Sequence, residues 1–171
     1  MSGIAAYVAV GSNINPEKHV PDALKKLKKA LRVTGISTHY GTAPLEDRHE
    51  QDDYLNGVWQ LETEMRPEDL KRFFRDLERL FGRIHNEDRY ASRTLDLDLL
   101  LWDQLTDSEL NLPDPDILKR PFLFVPLLEL DPGLQWPLTG QLLKDMVDYR
   151  PVLSMQADEK MTEFLKGIIN E

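Results

Sequence analysis

Asp96 and Asp98 stand in the segment Arg93-Thr94-Leu95-Asp96-Leu97-Asp98-Leu99-Leu100-Leu101. On an extended strand alternate side chains share a face. The two carboxylates are therefore expected to point one way, and Leu95, Leu97, Leu99 and Leu101 the other way, into the core. The ordinary strand rise sets the two aspartates about 6.6 Å apart. Carboxylates so close repel unless something positive sits between them. Oxygen-only ligands, with no cysteine or nearby histidine, suit a hard cation, and Mg²⁺ is commonly held by one or two carboxylates together with substrate phosphates. The plainer alternative is a pair of solvated aspartates on an amphipathic strand, and a short D-x-D signal does not decide between the two.

The neighbourhood of the pair adds to the first reading. Arg83, His85, Arg89 and Arg93 precede it, and Lys119 and Arg120 follow. Paired carboxylates for Mg²⁺ with several guanidinium forks are what a polyphosphate in a transfer reaction needs. Tyr54 and Asn56 occupy alternate positions of another strand-like stretch. An aromatic and an amide so placed can stack on a flat heterocycle and read its edge, although a half-buried tyrosine and a solvent-facing asparagine explain the same residues. No competing signature is present: the P-loop pattern, G-x-S-x-G and H-E-x-x-H are all absent. The histidines at 19, 39, 49 and 85 show no ligand spacing, and Trp59, Trp102 and Trp136 read as core or rim packing.

Composition narrows the field. The chain has 171 residues, with 30 acidic against 21 basic side chains and a formal charge of −9. That sign argues against a nonspecific nucleic-acid binder. With no cysteine, disulfides, thiolate nucleophiles and cysteine–zinc sites are excluded. No apolar run approaches the roughly 20 residues of a membrane span, and Met-Ser-Gly-Ile-Ala-Ala lacks a basic then apolar leader pattern. The expectation is a soluble cytoplasmic protein, monomeric, with small-molecule substrates and neither nucleic acid nor membrane as partner.

These side chains need elements to hold them. Ile4–Val10 is apolar throughout and reads as a buried strand ended by Gly11-Ser12-Asn13. Pro16 to Arg32 carries Val20, Ala23, Leu24, Leu27, Ala30 and Leu31 at helical spacing, with Lys25, Lys26, Lys28 and Lys29 on the solvated face. Val33–Tyr40 and Tyr54–Thr63 read as strands, separated by the polar run Glu46–Asp53. Pro67-Glu68-Asp69 opens a second helix that Gly82 ends. Residues 83–94 are irregular, Leu95–Trp102 is a fourth strand, and Asp103–Asp116 a loop. Pro121–Leu130 and Gly140–Tyr149 read as short helices, and Met161, Phe164, Leu165 and Ile168 suggest a last amphipathic turn or two. Strand, helix, strand, strand, helix, strand is the α+β pattern of ferredoxin-like folds. The expectation is one domain over 1–171, with a mostly antiparallel βαββαβ core at about 4–137 and helical C-terminal additions at about 140–171.

Val8-Ala9-Val10-Gly11-Ser12-Asn13, Tyr40-Gly41-Thr42-Ala43-Pro44-Leu45, Asp53-Tyr54-Leu55-Asn56, Gly82-Arg83, Arg93-Thr94-Leu95-Asp96-Leu97-Asp98, Arg120-Pro121-Phe122 and Val125-Pro126-Leu127 together resemble the 6-hydroxymethyl-7,8-dihydropterin pyrophosphokinase family of folate biosynthesis. The resemblance covers about residues 4–137 and implies the same ferredoxin-like fold. It implies Mg²⁺-dependent transfer of pyrophosphate from ATP to a dihydropterin alcohol, giving AMP. By the same resemblance, Asp96 and Asp98 bind two Mg²⁺ ions. Arg83 and Arg93 act on the transferred group and the ATP phosphates. Arg120, His85 and Arg89 serve the nucleotide phosphates, and Glu78 lies near the ribose. Tyr54 and Phe122 sandwich the pterin, and Asn56 reads its edge with backbone groups of Thr42, Ala43 and Leu45. Loops 46–52 and 83–92 close over the site.

The chain departs from the common family pattern at His85 (usually arginine), Tyr90 (often tryptophan), Ala91-Ser92 (usually Gly-Pro) and Asp114 (usually histidine). Each charge-assisted bond lost at a polyphosphate costs about 1.5–3 kcal/mol. Two alternatives follow: a divergent paralogue acting on another pterin-like alcohol, or a pterin-binding ferredoxin-like module without catalysis.

Overall fold

The computed structural model describes residues 3–43, 51–82, 92–150 and 155–171. The apolar N-terminal run forms β1 (Ile4–Ser12) and lies inside the sheet, paired antiparallel with β4 (Tyr54–Thr63) on one side and β5 (Asp96–Trp102) on the other. A strand flanked this way can be apolar on both faces: Ala6, Val8 and Val10 are buried on one and Tyr7 on the other. β2 (Arg32–Ile36) and β3 (Tyr40–Thr42) both pair antiparallel with β4, and β6 (Gln156–Ala157) pairs with β3. The sheet order is β5-β1-β4-β3-β6, with β2 also on β4. This is the expected ferredoxin-like α+β architecture.

One face of the sheet carries α1 (Pro16–Leu27), α2 (Pro67–Leu80) and α4 (Glu159–Ile169), whose Leu24, Phe74 and Leu165 join Trp59 and Leu61 in the larger core. On the other face α3 (Pro121–Leu130) packs Phe124 and Leu127 against Tyr7, Val58 and Leu100. That face is only partly covered, and the cavity described below opens on it.

The structure corrects several boundaries. The first helix stops at Leu27, not Arg32, because Arg32 and Val33 are already paired with Glu62 and Leu61 of β4. The stretch read as one strand over 33–40 is two. Ser37 exchanges backbone and hydroxyl hydrogen bonds with Val58, Glu129 of α3 accepts from both the Thr38 N–H and hydroxyl, and His39 turns inward before pairing resumes at Tyr40. The helix expected at 140–149 reduces to a single 3₁₀ turn, Leu143–Asp145. There the chain doubles back at Gly140 (φ 74°), and Leu143 donates to the Leu134 carbonyl, so backbone groups are satisfied across the turn. Leu101 does not share a face with Leu95, Leu97 and Leu99. The β1–β5 register slips between Tyr7 and Val8, pairing Leu101 and Leu99 with consecutive β1 residues, so Leu100 is the extra residue of a β-bulge. Both Leu100 and Leu101 therefore join the core beneath α3. The C-terminal stretch is longer and more ordered than a turn or two: β6 extends the sheet and α4 has 11 residues. Trp59 and Trp136 are buried as expected, and Trp102 donates its indole N–H to the Met65 carbonyl.

Candidate active site

A cavity of about 320 Å³ lies on the less covered face, at the ends of β1, β4 and β5 and beside the start of α3. Its floor is made by small residues of the central strand. Ala9 stands between Val58 and Asp98, and Gly11 between Asn56 and Asp96. A Cβ on Gly11 would meet the Asn56 side-chain oxygen at 2.8 Å, so glycine is what lets the flanking strands bring an amide and a carboxylate together. Neither Ala9 nor Gly11 is among the site residues expected from the sequence. The available signal was the pair of small residues at alternate positions toward the end of an apolar strand.

Asp96 and Asp98 both line this cavity. Their side chains are close enough for each carboxyl to feel the other. Asp98 is reachable by solvent through the mouth but hemmed in by protein elsewhere. That burial, and then the charges of Asp96, Glu78 and Asp114, push its carboxyl well above the ordinary range. Arg93 reaches Asp96 at 3.4 Å. The Arg93 backbone is fixed by Asn13, whose side-chain oxygen accepts its N–H at 2.7 Å and whose own N–H donates to the Arg93 carbonyl at 3.0 Å. Asn13 is nearly buried, and its amide also touches Gln51, Asp52 and Ser92. It is a further site residue that sequence spacing does not mark.

The opposite wall is Thr42, Ala43, Tyr54 and Asn56, with Phe122 at the start of α3. Asn56 donates from Nδ2 to the Thr42 hydroxyl at 2.6 Å. This orients the amide and leaves its second N–H and its carbonyl for other partners. The Thr42 side chain thus has a part of its own, beside the backbone role expected for that residue. Arg120 lines the cavity half-buried, and no carboxylate pairs with it among the described residues. Lys119 does not line it.

Asp114 and Asp116 complete the lining. Asp114 caps the 3₁₀ turn Pro115–Leu118, accepting the Asp116 N–H at 2.9 Å. Burial raises its carboxyl, opposed mainly by that hydrogen bond. The acid at the family's usual histidine position therefore has a local structural task, while its charge still faces the cavity.

Glu78 is not brought to the cavity. It is 2% exposed on α2, and its carboxylate accepts the Leu97 N–H at 3.0 Å along the outer edge of β5. Leu45, Arg83, His85 and Arg89 lie outside the described residues, as does most of the two loops expected to close over the site. Among the described residues no three His, Cys, Asp or Glu side chains form a metal cluster, so a cation here would rest on the Asp96–Asp98 pair and on substrate oxygens. No helix among the described residues is long and apolar enough to cross a membrane.

A family model described as 7,8-dihydro-6-hydroxymethylpterin-pyrophosphokinase (HPPK) matches residues 7–132. The chain is 33% identical to a 2-amino-4-hydroxy-6-hydroxymethyldihydropteridine pyrophosphokinase of Haemophilus influenzae, over 87% of this chain and 97% of that one. A protein of the same name from Synechocystis is 33% identical, over 84% and 74% respectively. The folic acid synthesis protein fol1 of Schizosaccharomyces pombe is 36% identical over 85% of this chain, which spans only 20% of that longer protein.

Proposed function

The chain belongs to the HPPK family and is a pyrophosphokinase, and from that premise we propose that its cavity holds a 6-hydroxymethyl-7,8-dihydropterin beside Mg²⁺-bound ATP and joins them with release of AMP, a step of folate synthesis. The carrying observation is that Asp96 and Asp98 line one cavity together with the hydrogen-bonded Asn56–Thr42 pair. A carboxylate pair suited to a metal and an amide–hydroxyl pair suited to a heterocycle's edge thus line the same cavity.

The donor set fits a hard divalent cation. Two carboxylates that share one cavity and repel gain most from a small ion with high charge. Two bound Mg²⁺ ions would neutralise the phosphate chain and ease deprotonation of the hydroxymethyl oxygen. The chain's own groups do the rest. Asn56 offers its remaining N–H and its carbonyl to the pterin edge, and Tyr54 and Phe122 offer ring faces. Arg120 and Arg93 give guanidinium donors to phosphate oxygens. Held in line, the hydroxymethyl oxygen attacks the β-phosphorus, loses its proton to solvent, and the bond from that phosphorus to the bridging α–β oxygen breaks. AMP departs with those electrons. Positioning and electrostatics supply the rate without a covalent protein intermediate. Residues 1–171 act as one domain and one monomer in this reading.

The test is the nucleotide product of purified protein with ATP, Mg²⁺ and the dihydropterin. AMP in step with pterin diphosphate is expected. ADP, or no nucleotide turnover with any pterin alcohol, overturns the reading, and turnover with a different alcohol alone shifts it to the paralogue.

A further inference from the structure

The segment after residue 154 lies beyond the stretch that the family model matches, yet it pairs with β3, the strand that ends at Thr42 in the cavity wall. β6 pairs Gln156 and Ala157 with Gly41 and Tyr40, so β3 is held on both edges. Without β6, β3 would be a three-residue edge strand ending at Thr42. The junction is made at His39. Its N–H donates to the Thr162 hydroxyl at 2.9 Å, and its carbonyl accepts the Asp158 N–H at 2.8 Å. The Thr162 hydroxyl donates in turn to the Asp158 carbonyl at 2.8 Å.

The His39 ring is fully buried against β4. A Cβ on Gly57 would lie 2.4 Å from its Cε1, so the ring rests directly on the backbone next to Asn56. One tautomer satisfies both nitrogens: Nδ1–H donates to the Ser37 carbonyl at 3.0 Å, and Nε2 accepts the Trp59 indole N–H at 3.2 Å. A ring so fixed can transmit position. From α4 the path runs through Thr162 and His39 to β3 and Gly57, and from there to the Thr42–Asn56 hydrogen bond at 2.6 Å on the cavity side.

We infer that the C-terminal strand and helix are a positioning device for the pterin-reading wall, with Thr162 and His39 as positioning residues. This rests on the pterin reading of the cavity. The substitution Thr162→Val keeps the shape and removes the hydroxyl, whereas Thr162→Ser keeps the hydroxyl. Hydrogen exchange at residues 40–42 and 56 is measured without ligand, alongside KM for dihydropterin, KM for ATP and kcat.

Thr162→Val is expected to speed exchange at 40–42 and to raise the pterin KM about five- to tenfold, the factor that one hydrogen bond's net contribution corresponds to. KM for ATP and kcat should stay within about twofold, since neither Asp96 nor Arg120 is touched, and Thr162→Ser should restore wild-type values. A lowered melting temperature with unchanged β3 exchange and unchanged pterin KM overturns the inference, because the contact is then only structural. So does an equal change in both KM values and kcat. If the wild-type protein turns over no dihydropterin, the pterin reading falls by itself. The ligand-free exchange still decides whether the C-terminal segment holds β3, with unchanged exchange counting against it.

Discussion

The substitution Asp98→Asn removes a charge from a crowded carboxyl cluster while keeping a hydrogen-bond donor toward Asp96. Without metal, the ionised Asp98 carboxylate is repelled most by Asp96, with Glu78 and Asp114 adding like charge. Two unit charges about 4 Å apart interact by about 1 kcal/mol in water and about 4 kcal/mol at an effective dielectric constant near 20. Asp98 is open to solvent through the cavity mouth, and Arg93 offsets part of the Asp96 charge, which puts the repulsion near the lower end. Asp98→Asn should therefore stabilise the metal-free protein by about 1–2 kcal/mol at pH 8, read from urea unfolding in EDTA. The sign with pH follows from the raised carboxyl. Ionised Asp98 costs stability above its folded-state pKa, and the cost shrinks as pH falls from that value toward 3.8 and vanishes below 3.8, where both states are protonated. The advantage of the variant should thus close toward pH 4. Adding Mg²⁺ with ATP should reverse the order, since ligand binding to the native state stabilises by mass action and only the wild type keeps both carboxylates. A variant no more stable than wild type at pH 8, or one whose advantage is the same at pH 4, refutes the charge-crowding argument.

Asp96→Ala and Asp98→Ala should each abolish AMP formation in the product assay while dihydropterin binding, followed by fluorescence, persists. Arg120→Ala should weaken nucleotide binding by about 10- to 100-fold in calorimetry, the range for a lost charge-assisted hydrogen bond, with pterin binding unaffected. Gly57→Ala should destabilise by about 1–3 kcal/mol in urea, because its Cβ would overlap the His39 ring, and pairing it with His39→Ala should recover part of that loss. His39 itself is held neutral by burial, its pKa lowered from 6.5 to about 4. The unfolded chain therefore binds the extra proton first, and the wild type should lose up to about 3 kcal/mol between pH 6.5 and 4. That loss should be absent from His39→Phe on a pH series of unfolding curves.

Much of this protein is written in short-range pattern. The period of two in Leu95–Leu99 and Tyr54–Thr63 and the helical period in Leu70–Leu80 mark which faces are buried, because burying an apolar stripe dominates the fate of each element. That logic alone puts Asp96 with Asp98, and Tyr54 with Asn56, on shared faces. It fails where the chain breaks its own period. The extra residue at Leu100 turns Leu101 to the opposite face, and no local signal marks it, since the bulge is a property of the β1–β5 pairing. The helix expected over 140–149 satisfied a pattern, but its backbone found partners across a turn at Leu134 and Trp136.

The site divides in the same way. Residue types and their spacing supply the chemical identities: paired aspartates, an arginine beside them, and an aromatic with an amide on a second strand. Long-range pairing supplies the arrangement. It runs β1 between β4 and β5, where Ala9 and Gly11 are small enough for Asn56 and Asp96 to face one cavity. It also places Glu78 behind β5, and it brings Thr162, more than a hundred residues along the chain, to the strand that holds Thr42. Periodicity reports which way a side chain points relative to its own element. Which other element it meets is fixed by pairing between distant segments, and that information resides in no single stretch of sequence.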